Sequence, residues 1–163
     1  MNPTYVGPFV KATAKVFATM LRCNLMRPEI RRKRTRQPYH EVSGIIELHG
    51  AAAGIVVLGM SRASALRVTE VLLQESPTTV DELVRDAVGE LANIIAGNAK
   101  ADLEGLSLRL GLPYVLVGKH HLLPLPDRAK ASSIHFASDW DEIVVEVGLT
   151  APVHCAAAHA ESA

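Results

Sequence analysis

Cysteine, aromatic residues, surplus charge and long apolar runs are all scarce in this chain, and each shortage removes a class of protein. Two cysteines, Cys23 and Cys155, cannot make a disulfide framework, which fits a reducing compartment. Seventeen basic and seventeen acidic residues give a formal net charge of zero, so global electrostatics favours neither nucleic acid nor an anionic membrane. Any charge effect must be local. No run approaches the roughly 20 apolar residues that span a bilayer, and no membrane partner is expected. The opening MNPTYVGPFVKATAKVFATM is interrupted by Pro3, Gly7 and Pro8 and lacks the unbroken apolar centre of a signal peptide. A cytoplasmic protein is expected. No Ser, Cys or Gly-rich arrangement has the context of a hydrolase elbow or a phosphate-binding loop.

What is present is ample apolar material, 48% of 163 residues, enough for one sizeable core and giving no sign of a second. One domain is expected over residues 1–150. The remainder, 151–163, is small and polar without periodicity and reads as a frayed or disordered tail. It holds His154, Cys155 and His159, which lack two further firm ligands for a soft metal. His120 and His121 are adjacent, so on a strand they would point to opposite faces. No metal site is expected.

Spacing predicts a first helix over 8–26, with Pro8 in its first turn and Phe9, Ala12, Val16, Phe17, Met20 and Leu21 recurring at three and four. Six of the residues from Arg27 to Arg36 are basic, and a solvated basic loop is expected over 27–38. A docking patch for an acidic partner is the sharper alternative; nucleic acid is disfavoured because no aromatic platform is interleaved with the charges. The runs EVSGIIELHG and AAAGIVVLGM predict two paired strands about Gly50. Ser61 can cap a helix through Glu75, stopped by Pro77. A long helix follows from Thr79 to Gly105, where Thr79 and Glu82 have capping-box spacing. Strands are then predicted at 113–121, in ASSIHFAS and in EIVVEVGL, as consecutive antiparallel neighbours with DWD as a tight connection. Strands that come in runs favour an α+β two-layer sandwich, a mainly antiparallel sheet packed by long helices, over a doubly wound sheet.

The long helix carries the pointed chemistry. Val84, Ala87, Val88, Leu91, Ile94 and Ile95 gather on one side, while Asp86, Glu90, Asn93, Gly97 and Lys100 form a continuous stripe on the other. A polar stripe alone is what any surface helix shows. Gly89 and Gly97 each cost on the order of 1 kcal/mol relative to alanine inside a helix. Either they let a partner approach the Glu90 and Asn93 surface, or they allow close packing within the chain. Asn98 falls on the apolar side and is expected to be buried and structural.

The pattern Asp86-x-x-x-Glu90-x-x-Asn93, continued as IIAGNAK to Lys100, resembles the signature helix of the CheC/CheX/FliY group of bacterial chemotaxis phosphatases. NPTYVGPFVKATAKVF also resembles the opening of CheX-type members. CheC-type members usually carry two E-x-x-N helices and CheX-type members one; a single E-x-x-N here makes CheX the nearer match. The resemblance implies a CheC-like fold over roughly residues 2–149 and dephosphorylation of a CheY-type response regulator. On this likeness Asn93 orients the attacking water through its amide and Glu90 docks on the partner's active-site lysine, with Asp86, Gly97 and Lys100 as flanking partner contacts. The chain itself then needs no cofactor, Mg²⁺ being expected in the partner. Members of this type are often homodimers built by sheet association, for which the edges of EIVVEVGL or ASSIHFAS are the expected contacts. A non-catalytic adaptor that binds a response regulator or a flagellar or signalling component would use the same helix face.

Overall fold

A computed structural model describes residues 3–150; the tail predicted over 151–163, with its His154, Cys155 and His159, lies outside the described residues. The first helix, α1, runs Pro3–Met20, five residues earlier at each end than its spacing predicts or more. Pro8 therefore sits inside the helix, where it removes a backbone donor. Val6, buried on its N-terminal side, and Phe9 on the other hold that turn to the core. Beyond Met20 the amides of Leu21 and Cys23 both donate to the Phe17 carbonyl, and Arg22 adopts a left-handed conformation, φ 51°, that reverses the chain.

That reversal places the basic segment in the sheet. Residues Met26–Lys33 form strand β1, which corrects the predicted loop. Polar side chains on both faces hide the strand from any periodicity argument, because only its backbone is engaged, antiparallel to the later strand Lys130–Ala137. Pro28, which cannot donate, falls where the register shifts between Met26 and Glu29. Only Lys33 at its end is buried.

Strands β2 (Val42–His49) and β3 (Gly54–Met60) pair as predicted, with Gly50 at φ 154° in the connection. Helix α2 is Arg62–Leu73, and the Ser61 hydroxyl caps it by accepting from Ser64 N. Helix α3 is Glu82–Ala101. Its cap is Asp81, whose carboxylate accepts from Val84 N at 3.2 Å, and not the Thr79–Glu82 box. Thr79 instead offers its carbonyl to Asp81 N, which closes a turn before the helix. The helix stops at Asp102, and Gly105 lies in a separate 3₁₀ turn.

Pro113 divides the strand predicted at 113–121 from what precedes it, giving β4 (Arg109–Leu110) and β5 (Tyr114–Val117), both paired with β2. Strands β6 (Lys130–Ala137) and β7 (Ile143–Leu149) form the predicted hairpin. All pairings are antiparallel, in the order β1-β6-β7-β3-β2-β4 with β5 also on β2. Two corrections follow. β5 is not a neighbour of β6, because the chain crosses from one side of the sheet to the other between them. Neither ASSIHFAS nor EIVVEVGL is an edge, since β1 covers one and β3 the other.

The result is the α+β arrangement expected, helices on one face of a mixed-length antiparallel sheet. Phe9, Phe17, Val88, Leu91 and Ile95 interlock there with Ile46, Val56, Leu58, Ile134, Phe136 and Val145. On the other face Ile45, Ile55 and Val57 are covered by Leu123. Burial on both faces is why GIVVLGM reads as an unbroken apolar run. Among the described residues no helix is long and apolar enough to cross a membrane.

Candidate functional site

Helix α3 is seated on the sheet through a glycine. An added Cβ on Gly44 of β2 would meet Val88 O and Val88 Cγ1 at 3.1 Å and Ala92 Cβ at 3.2 Å, so α3 approaches β2 too closely for a larger residue. The buried face of α3 accordingly includes Gly89, Ala92 and Ala96 beside Val88, Leu91 and Ile95. It is wider than the predicted apolar side by these small residues. Asn98, predicted to be buried, falls at the margin of that face and is exposed.

The polar stripe then faces outward. Asp86 and Glu90 are exposed, and Asn93, Gly97 and Lys100 are half-buried. No side-chain hydrogen bond or ion pair joins Asp86, Glu90 or Asn93 to another described residue, whereas Arg85 is held by Val115 O at 3.0 Å and lies 3.8 Å from Glu82. The three chemical groups are therefore presented by a fixed helix without being committed to internal contacts.

The segment Leu110–Val115 runs alongside. Gly89 faces it, an added Cβ falling 3.5 Å from Pro113 Cβ and 3.6 Å from Val115 Cγ2, and an added Cβ on Gly97 would fall 3.8 Å from Leu110 Cδ1. An added Cβ at either would make only ordinary contacts, so the surroundings leave both roles open to these glycines, partner approach and packing within the chain. The stripe is also partitioned. Asp86 and Glu90 line a cleft of about 530 Å³ with Arg85, Pro113 and Tyr114, while Gly97 and Lys100 line another of about 520 Å³ with Glu104 and Ser107. Asn93 lies on the helix between the two. Tyr114 donates to Glu47 Oε1 at 3.4 Å; burial first, then the Glu47 charge, pushes its phenol above its ordinary pKa. Pro113 and Tyr114 carried no sequence signal for this cleft, because they lie more than twenty residues from the part of α3 they face, and Arg85 lies on α3 one position off the stripe.

A second polar centre lies on the opposite face of the sheet, where Glu146 alternates with the helix-facing Val145 and Val147. Lys33 Nζ meets Glu146 Oε2 at 2.6 Å, with both side chains almost fully buried. The approach is an ion pair off the hydrogen-bonding direction, leaving both carboxylate oxygens without a well-angled donor among the described residues. Burial raises the Glu146 pKa, opposed by Lys33. Tyr39 stacks over the ammonium, 4.2 Å from ring centroid, and accepts from Ser133 at 3.3 Å. Nearby, His135 and His40 both contact Glu142, at 2.9 and 3.1 Å. None of this reaches α3. His120 and His121 lie in the loop after β5, not on a strand; His121 bridges Gly118 O and Ser43 Oγ, each at 2.9 Å. No group of three or more His, Cys, Asp or Glu among the described residues is arranged to hold a metal.

Residues 42–137 match the family described as chemotaxis phosphatase CheX, a span that includes all of α3 and both clefts. No curated protein matches the sequence. Among solved structures, a CheC-like superfamily protein from Shewanella sp. PV-4 is 26% identical with a TM-score of 0.82, over 93% of this chain and 100% of that one. CheX from Vibrio vulnificus is 28% identical with a TM-score of 0.76, over 89% of this chain and 98% of that one. A chain of the CheX–CheY–BeF3–Mg²⁺ complex from Borrelia burgdorferi shares the fold, at 24% identity and a TM-score of 0.76 over 90% of this chain and 98% of that one.

Proposed function

We propose, from the premise that the chain belongs to the chemotaxis phosphatase CheX family, that it accelerates hydrolysis of the aspartyl phosphate of a CheY-type response regulator with the residues of α3. The observation that carries the reading is the unengaged Glu90 and Asn93 on one exposed helix face. An aspartyl phosphate is already activated within the receiver's own Mg²⁺ site, so the helper has to position water and little more. Asn93 suits that role because its carboxamide both donates to and accepts from a water without changing charge. Glu90, one turn earlier, docks on a lysine of the receiver and sets the register, and Asp86, Gly97 and Lys100 flank the contact. The CheX–CheY complex from Borrelia burgdorferi supports a receiver as partner. The chain itself supplies no cofactor in this scheme, and the reaction is placed in the cytoplasm.

For the homodimer implied by the resemblance we propose the open edge of β1, which lies beside the expected strand β6, as the contact, β6 and β7 themselves being interior strands. A monomer by light scattering at micromolar concentration would remove it.

The phosphatase reading is tested by following phosphate loss from a phosphorylated CheY-type receiver with and without the chain. Acceleration that disappears in Asn93→Ala supports it. Tight association with no change in rate would select the adaptor instead.

A further inference from the structure

The chain leaves one large apolar side chain almost wholly in water next to the face just described. Leu112 is 88% exposed, the most exposed of the large hydrophobic residues among those described. It is not at a loose tip. Gly111 N donates to Glu47 O at 2.8 Å, Arg85 clamps Val115 O at 3.0 Å, and Pro113 fixes its own φ between them. Leu110, two residues before it, faces Gly97, and Pro113, just after it, faces Gly89, each within 4 Å of where a Cβ on that glycine would lie. Positions 89, 93 and 97 are successive turns of one helix face. The Gly111–Leu112 pair therefore passes the turn that carries Asn93, and Pro113 forms a wall of the same cleft as Glu90.

We propose that Leu112 is an apolar anchor of the docking face, seated on the receiver beside its phosphorylated site while Glu90 and Asn93 engage the polar centre. This rests on the phosphatase reading above and extends it to a second element of the chain. Two things favour a receiver as the occupant. The anchor is continuous with the Glu90 and Asn93 stripe, and its backbone is pinned to α3 and β2, so its position relative to Asn93 is set before any partner arrives. A rigid exposed leucine flanked by charged contacts is the form in which a central apolar contact is held within a polar rim.

The test compares Leu112→Ser with Leu122→Ser, a second exposed leucine, 62% exposed, that lies in the loop between β5 and β6. Binding to a CheY-type receiver charged with beryllofluoride and Mg²⁺ is measured by calorimetry, and turnover by phosphate release at saturating phosphorylated receiver. Leu112→Ser is expected to weaken binding about tenfold or more, as loss of one buried leucine implies. Its turnover at saturation and its thermal midpoint should stay at the wild-type values, and Leu122→Ser should bind within twofold of wild type. Should Leu112→Ser bind like wild type while Asn93→Ala still abolishes turnover, the anchor falls and the phosphatase reading stands. Equal weakening by both leucine variants also overturns it. If the wild-type chain neither binds nor dephosphorylates any CheY-type receiver of its cell, both fall.

Discussion

Gly44 of β2 faces Val88 of α3 so closely that an added Cβ would lie 3.1 Å from the Val88 carbonyl oxygen, a contact to which the helix would have to yield. The site's position is set there, since Glu90 and Asn93 follow Val88 by less than two turns. Gly44→Ala has to push α3 outward by a few tenths of an ångström or distort β2, and overpacking of this kind costs about 1–3 kcal/mol. Chemical denaturation should show that loss. On the proposed docking through α3, dephosphorylation should slow in the same variant even where the protein remains folded. A variant as stable and as active as wild type would mean that α3 is not seated by this contact.

Gly89 and Gly97 differ from Gly44 in what surrounds them. A methyl group at either would make ordinary contacts, 3.5 Å or more from its neighbours. Alanine is a better helix former than glycine by about 1 kcal/mol. Gly89→Ala and Gly97→Ala are therefore expected to raise stability by up to about that amount. Phosphate release then separates the two roles. Unchanged activity would mean that no partner backbone needs the missing side chain, and a large loss of activity at raised stability would show that a partner's backbone comes in over the glycine.

Much of this architecture was legible in the chain because the relevant patterns are local. The stripe from Asp86 to Lys100, the Ser61 cap and the hairpin around DWD each lie within a few turns of sequence. What escaped was non-local. The segment Met26–Lys33 becomes a strand only because the backbone of β6 is waiting for it, and its charged side chains give no alternation to read. The cap at Asp81 is a local exception, hidden by the equally well-spaced Thr79. Asn98 is exposed although Leu91, two turns earlier on the same side of α3, is fully buried, so what differs is the packing around the last turn, which the helix alone does not carry. Even the site was only half visible, since Pro113 and Tyr114 complete a cleft whose other wall is Asp86 and Glu90.

Lys33 and Glu146 bring the last residue of β1 onto the middle of β7 in the covered second face. Removing one partner leaves an uncompensated buried charge. Lys33→Met alone is expected to cost about 3–5 kcal/mol, whereas Lys33→Met combined with Glu146→Leu should recover most of that or exceed wild type. Urea titrations of the two single variants and the double variant give the coupling directly. Additive losses would mean that the two residues do not act as a pair.

The same carboxylate gives stability a definite pH dependence. Its folded-state pKa is raised by burial above the ordinary 4.5, so the native protein holds the proton at a pH where the unfolded chain has released it. The stabilising contribution of Glu146 is fully present below about 4.5, the unfolded value, and is lost as pH rises through the folded value. Glu146→Gln cannot titrate. The stability of the Gln variant relative to wild type should therefore climb as pH rises out of the acid range, read from denaturation midpoints at a series of pH values. A difference independent of pH would place the titration elsewhere.

Glu90 and Asn93 stand one turn apart on α3, and their assigned roles predict different kinetic defects. Asn93 is assigned to the water, which matters only as the phosphate leaves, so Asn93→Ala should lower kcat by two orders of magnitude or so while KM for the phosphorylated receiver stays near wild type, the loss expected for a group that acts in the transition state. Glu90 is assigned to docking. Glu90→Gln keeps the shape and removes the charge, and should raise KM by roughly tenfold with a smaller effect on kcat, more strongly at low ionic strength than at high, because a charge-assisted contact is screened by salt. Glu90 is exposed and the half-buried Asn93 makes no side-chain hydrogen bond to another described residue, so thermal midpoints should stay close to wild type in either variant. If the defects are exchanged, with Glu90→Gln lowering kcat alone and Asn93→Ala raising KM alone, then the carboxylate handles the water and the carboxamide is the anchor.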